Sequence, residues 1–172
     1  VPSVSIIIAN WNGKDMLEAC LSSIRKTSYP NLRVVVVDNG STDGSVSMVK
    51  QRFPDAGLIV NSENEGFSRA NNQGIKLALD NGADYLLLLN NDTEIMDADW
   101  LTKMIEVAEA HPRVGIVAPK LVSPAGSLKS WAYFLNPLGM MAITTRTSQA
   151  NAVEVDGVGA VAFLIKRAVI GR

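Results

Sequence analysis

The chain has 172 residues, 47% of them hydrophobic and 19% charged, which is enough for one buried core and short for two. With 16 Lys and Arg against 17 Asp and Glu, no global field favours nucleic acid or an anionic membrane, so a phosphate-bearing ligand needs locally placed groups. A single Cys excludes an internal disulfide and suits a reducing cytosol, and no apolar run approaches the roughly 18–20 residues needed to span a bilayer.

In chain order, the first apolar run, Val4 to Ala9, delivers Asn10-Trp11-Asn12-Gly13. A helical pattern follows over Lys14 to Thr27, where Met16, Leu17, Cys20, Leu21 and Ile24 share one face, so Cys20 reads as a small buried hydrophobe. Leu32 to Val37 delivers Asp38-Asn39-Gly40-Ser41-Thr42-Asp43-Gly44 and a helix over Ser45 to Phe53. Gly57 to Val60 leads through Asn61 to Gly66 into a helix over Ser68 to Asn81, with Gly82 just past its end. Tyr85 to Leu89 delivers Asn90-Asn91-Asp92-Thr93, and the helix over Asp97 to His111, capped by Asp97 or Asp99, buries Trp100, Leu101, Met104, Ile105 and Ala108. Val114 to Ala118 is a fifth run.

Short β-branched runs predict strands buried on both faces, and their alternation with helices predicts a single α/β domain over 1–172 with a mostly parallel sheet. Beyond Pro119 the pattern changes to turns at Pro124-Ala125-Gly126 and Asn136-Pro137-Leu138-Gly139, strands at Val153 to Val155 and Val158 to Lys166, and a mobile loop around Thr144 to Ala152. The missing initiator Met and the ending at Arg172 directly after an apolar run predict a piece of a longer protein.

In an open parallel sheet ligands bind outside the carboxyl ends of the strands, and four polar loops fall there. Asp38 ends a buried strand, where a carboxylate can accept from a base N–H or a ribose hydroxyl; its plainer role is to satisfy a turn, and that of Asp43 or Ser45 is to cap the next helix. Asn90, Asn91 and Asp92 offer a carboxylate flanked by amide oxygens, suited to a hard divalent ion, and are otherwise an ordinary turn. The amides after Gly66 and the side chain of Arg69 can face an anion; the alternative is an exposed first turn with Phe67 and Ala70 inward. Thr93 and Glu94 solvate the loop, and His111 suits a helix end. Trp11 can line the cleft, whereas Trp100 belongs to the core. Trp131, Tyr133 and Phe134 form a hairpin or acceptor platform, with core packing the plainer role. Gly157 to Ala162 matches a dinucleotide fingerprint only formally, since no helix follows.

Val4-Ser5-Ile6-Ile7-Ile8-Ala9-Asn10-Trp11-Asn12, Val37-Asp38-Asn39-Gly40-Ser41-Thr42-Asp43-Gly44, Asn64-Glu65-Gly66 with Asn71-Asn72-Gln73-Gly74, and Leu89-Asn90-Asn91-Asp92 occur in a fixed order across almost the whole chain. This order resembles family-two glycosyltransferases with the GT-A fold, and among them bacterial rhamnosyltransferase-like members. The resemblance implies a nucleotide-sugar site of Ala9, Asn10, Trp11, Asp38, Asn39, Asn64, Gly66, Asn71 and Asn91, with Asp92 matching the last acid of the metal-binding Asp-x-Asp motif. It implies magnesium or manganese, a UDP, dTDP or GDP sugar donor, and a saccharide or lipid-linked acceptor in a polysaccharide or cell-wall pathway. It also implies a cytoplasmic enzyme whose full-length form works at the inner face of the membrane. The sequence departs from the common pattern at Asn90, where the first acid usually stands, and at Asn71, where many members carry Arg.

Such enzymes invert the anomeric centre: a carboxylate deprotonates the acceptor while a cation stabilises the departing diphosphate. In the family that base follows a Gly-rich strand resembling Val158 to Lys166. Glu154 and Asp156 lie outside the motif, so the base is expected beyond Arg172 and the fragment is expected to bind donor but transfer poorly. Rival readings are a phosphoacceptor module, which lacks its acidic pair after the first strand, and a dinucleotide oxidoreductase, for which Gly13 stands alone. A nucleotidyltransferase lacks its Gly-rich basic loop, and a non-catalytic binding domain stays open.

Overall fold

The computed structural model describes residues 1–123, 125–127, 132–135, 141–144 and 152–170. The central sheet is built from β1 (Val4–Asn10), β2 (Leu32–Asp38), β3 (Gly57–Val60), β4 (Tyr85–Leu89), β5 (Ile116–Val117) and β9 (Ala162–Lys166). Its order is β3-β2-β1-β4-β9-β5, parallel from β3 to β4, with β9 antiparallel to both neighbours. The expected mostly parallel α/β sheet is therefore present. A second antiparallel sheet joins β6 (Ala132–Leu135), β7 (Met141–Thr144) and β8 (Gly157–Val158) in the order β7-β6-β8.

Period-two alternation divides the core between the two faces of the sheet. Ile6, Ile8, Val36, Leu87 and Leu89 pack with residues of α1 (Lys14–Ile24), α2 (Ser45–Arg52) and α4 (Trp100–Ala110). Ile7, Val35, Val37, Leu86 and Leu88 pack with Ala70 and Ala78 of α3 (Phe67–Asp80) on the other face. Gly74 sets how closely α3 can lie, because a Cβ there would stand 2.4 Å from Ile7 Cγ2 and 3.2 Å from Val37 Cγ2.

Several local expectations are corrected. The edge strands β3 and β5 carry exposed and half-buried residues, because each has only one neighbouring strand and no helix seals both faces. Val153 to Val155 is not a strand, and the run Val158 to Lys166 breaks at Gly159–Val161 into β8 and β9, which join different sheets. Met16 is 51% exposed, off the face that buries Leu17 and Cys20. Asp99 occupies the N-cap of α4 without a side-chain bond; Asp97 instead accepts the Asp99 N–H at 3.0 Å and pairs with Lys103.

Other expectations hold. Gly82 takes φ +77° just past the Asn81 cap of α3, and Trp100 packs partly buried against the core, its Nε1 donating to Thr27 Oγ1 at 3.0 Å. His111 ends α4, and the stretch Gly157 to Ala162 runs directly into strand β9 and not into a helix. Cys20 is buried, which pushes its thiol up to about 12 against the lowering contact with the Thr93 backbone. Among the described residues no helix is long and apolar enough to cross a membrane. Pro124, Trp131, the turn at 136–139 and the core of the loop at 145–151 lie outside the described residues, as do the side chains of Tyr133 and Phe134.

Candidate functional site

Because β1, β2 and β4 run parallel side by side, the residues ending each strand arrive on one rim. The loops after β1 and β2 are bonded to each other. Asn12, in a left-handed conformation at φ +48°, donates its N–H to Ser41 Oγ at 2.8 Å and accepts the Thr42 N–H on Oδ1 at 2.8 Å. Asp43 joins the first turns of two helices: its Oδ2 accepts the Lys14 N–H at 2.8 Å, and its Oδ1 accepts Ser45 N–H at 3.0 Å and Ser45 Oγ–H at 2.5 Å. Burial works against the charged form of Asp43, but these bonds outweigh it and hold the carboxyl below its ordinary value of 3.8.

Under these loops lies a line of polar side chains. Asp38 Oδ1 accepts the Ser41 N–H at 2.8 Å and its Oδ2 accepts Asn10 Nδ2–H at 3.0 Å. Asn10 Nδ2 also donates to Ser41 Oγ at 3.3 Å, while Asn10 Oδ1 accepts from Asn91 Nδ2 at 2.8 Å. The end of β2 is thus bonded through β1 to the loop of Asp92, which is exposed. Asp38 and Asp92 share one rim, but Asp38 is only 1% exposed.

The third loop is held by amides. Asn61 Nδ2 donates to Asn39 Oδ1 and to Gln73 Oε1, each at 2.9 Å, and Gln73 Nε2 returns a bond to Asn61 Oδ1 at 3.0 Å. Asn39 Nδ2 donates to Asn64 Oδ1 at 3.2 Å and to the Gly66 carbonyl at 3.3 Å, and Asn64 Oδ1 also accepts the Gly66 N–H at 2.9 Å. Gly40, at φ +76°, lies against the Glu63 backbone at 2.8 Å from an added Cβ, which only glycine allows.

The site residues read from the sequence therefore divide in two. Trp11, Asn64, Gly66 and Asp92 are exposed, while Ala9 and Asn91 are half-buried on the rim. Asn10, Asp38, Asn39 and Asn71 are buried, with side chains hydrogen-bonded within the protein. Asn71 Nδ2 donates back to the Phe67 carbonyl at 2.9 Å within α3. Arg69 is paired with Glu65, and Phe67, read as inward in one alternative, is 54% exposed while Ala70 is fully buried. Sequence reasoning placed Asn12, Asn61, Gln73 and Asp43 in the polar loops and motifs but gave none of them the loop-to-loop bonding role they have here. The signal available was the density of Asn, Asp and Ser directly after each strand.

Among the described residues no three His, Cys, Asp or Glu side chains cluster as a metal site. The fourth loop offers the Asp92 carboxylate beside the amides of Asn90 and Asn91, a hard oxygen set. A concavity lined by Leu79, Asp84, Tyr85, Lys166 and Arg167 lies at the amino end of β4, away from this rim.

The family model described as Glycosyl transferase family 2 matches residues 5–170. The O-antigen biosynthesis protein RfbC of Myxococcus xanthus is 32% identical over 131 residues, covering 74% of this chain and 10% of that protein. A poly-beta-1,6-N-acetyl-D-glucosamine synthase of Staphylococcus epidermidis is 28% identical over 119 residues, covering 68% of this chain and 28% of the synthase. The chain thus spans a minor part of either relative's length. Among solved structures, the mannosyltransferase PcManGT of Pyrobaculum calidifontis, in complex with GDP-Man and Mn2+, aligns with a TM-score of 0.62 at 29% identity, covering 72% of this chain and 36% of that one. The mixed α/β architecture with a central, mostly parallel sheet is that of GT-A glycosyltransferases.

Proposed function

The chain belongs to glycosyl transferase family 2, and from that premise we propose that its β1–β2–β4 rim binds a nucleotide-diphosphate sugar for metal-dependent, inverting transfer. The acceptor is a saccharide or a lipid-linked acceptor. The observation that carries this reading is the continuous line Asp38–Asn10–Asn91 ending beside the exposed Asp92.

The division of the rim suggests how the parts act. Exposed Trp11, half-buried Ala9 and the Asn64–Gly66 turn supply the surface against which the nucleoside lies, and Asn39 fixes that turn from beneath. Asp38 and Asn10 set the positions of the β1 and β2 loops, and Asn71 steadies the first turn of α3. Arg69 is largely exposed while its partner Glu65 is half-buried, so the guanidinium is the member of the pair that can turn toward an anion arriving from solvent.

The oxygen donors of the fourth loop fit a hard cation that takes its remaining ligands from diphosphate and water. Asp92 would hold magnesium or manganese with help from Asn91, and the bound cation supplies neutralisation of the departing diphosphate. The GDP-Man and Mn2+ of the mannosyltransferase structure support a divalent ion and a GDP donor. The O-antigen relative supports a polysaccharide acceptor.

Calorimetry with GDP, UDP and dTDP sugars, each with and without Mn2+, tests the proposal. One nucleotide class should bind and tighten with Mn2+, and Asp92→Ala should abolish the tightening. Silence with all three would refute the reading in favour of a non-catalytic domain.

A further inference from the structure

Asn10 ends β1 at the centre of the rim, 2% exposed, between the ends of β2 and β4. Its two amide atoms face chemically different neighbours. Asp38 is a carboxylate that only accepts hydrogen bonds, so it admits only the nitrogen end of Asn10. The oxygen end must then face Asn91, and because an amide oxygen also only accepts, Asn91 must present its own nitrogen. The Asn91 oxygen is the atom left directed off this line, next in sequence to Asp92.

Gly13 keeps the contact tight. A Cβ at residue 13 would lie 2.5 Å from Asn91 Nδ2 and 2.9 Å from Asn10 Oδ1. Ser41 fixes the other end, donating its backbone N–H to Asp38 Oδ1 and accepting the Asn10 Nδ2–H on its hydroxyl oxygen. Four segments, the ends of β1, β2 and β4 and the N-cap of α1, thus meet at two amide groups whose orientations are not independent.

We infer that Asp38 fixes the polarity of a two-amide relay through Asn10 to Asn91, so that Asn91 turns its oxygen toward the cation held at Asp92. Asn10 is then a positioning residue that couples the acid of β2 to the loop after β4. The inference rests on the donor-site reading above. In metal sites the partners that orient a ligand matter nearly as much as the ligand itself, with losses of about 10–100-fold in affinity when they are removed.

Two readouts on the 172-residue chain test this: the side-chain amide NMR signals of Asn91, and the factor by which Mn2+ tightens binding of GDP, UDP or dTDP. Asp38→Asn removes the acceptor-only group, so the Asn91 amide pair should shift and the Mn2+ factor should fall by about 10–100-fold. The swap Asn10→Asp with Asp38→Asn puts the carboxylate at position 10, where it accepts from both neighbours; it should restore the Asn91 signal and the Mn2+ factor. Asn91→Ala, on the half-buried rim, should lose the Mn2+ factor without rescue. A folded Asp38→Asn protein with unmoved Asn91 signals would overturn the relay, as would a swap that fails to restore the factor or an Asn91→Ala protein that keeps it. If Asp38→Asn does not fold, the other two variants decide. Should the wild type bind no diphosphate, the donor reading fails, while the NMR comparison still judges the relay.

Discussion

Asn12 adopts a left-handed backbone at φ +48° because both its N–H and its side-chain oxygen are taken by the β2 loop, which compensates a conformation that Asn tolerates better than most residues. Gly13 follows for a different reason: its φ is negative, but the Asn10–Asn91 pair occupies the space of a side chain. Gly13→Ala should therefore cost about 1–3 kcal/mol in urea unfolding, as overpacking generally does. It should also weaken Mn2+-assisted nucleotide binding by pushing Asn91 aside. An Ala variant of unchanged stability would show that the rim yields freely at this point. At this scale the sequence was only partly legible. A polar residue after a buried strand marks Asp38 and Asn10 for the rim, yet whether a side chain faces out or bonds inward depends on partners 28 residues apart for Asn10 and Asp38 and 81 apart for Asn10 and Asn91. No local pattern encodes such pairs.

The elements themselves were easier to read, since continuous apolar runs and 3.6-residue periodicity arise from contacts within each segment. What the pattern could not supply was each strand's place in the sheet. Leu58 and Ile59 read as buried on both faces, but β3 is an edge and both are only half-buried. Phe67 looked apolar enough for the core, yet it starts α3 beside the open rim. The strongest element-level constraint is Gly74, which brings α3 against β1 and β2. Gly74→Ala gains helix propensity, by up to about 1 kcal/mol, but the 2.4 Å approach to Ile7 Cγ2 demands a backbone shift costing about 1–3 kcal/mol. The net expectation is a lower denaturation midpoint. Since α3 carries the Gly66 turn at its start, nucleotide affinity should fall with it; a stabilised variant would contradict this packing.

Across the whole molecule, carboxylates bind the chain's segments together. Asp84 accepts the Ser3 N–H at 2.7 Å and the Ser3 hydroxyl at 2.8 Å, which hold its carboxyl below 3.8 and fasten the residues before β1 to those before β4. Asp43 is lowered likewise at the β1–β2 rim. A carboxyl lowered in the folded state contributes stability that is complete above its unfolded value and disappears as pH falls through the folded one. Stability should thus decline as the solution is acidified below the ordinary carboxylate value. Asp84→Asn should flatten part of that decline in urea melts across the acid range; an unchanged acid limb would remove Asp84 from the account.

On the proposed function, the cation and diphosphate lie where the ends of β1, β2 and β4 meet. Backbone NMR of the chain with Mn2+ and the nucleoside diphosphate that binds it measures this directly, because the paramagnetic ion erases nearby signals. Signals from Asn10 to Gly13 and from Asn90 to Thr93 should disappear, while those of Leu79 to Tyr85 and Lys166 should persist. Broadening centred on the Asp84–Lys166 concavity, or spread evenly over the molecule, would contradict it.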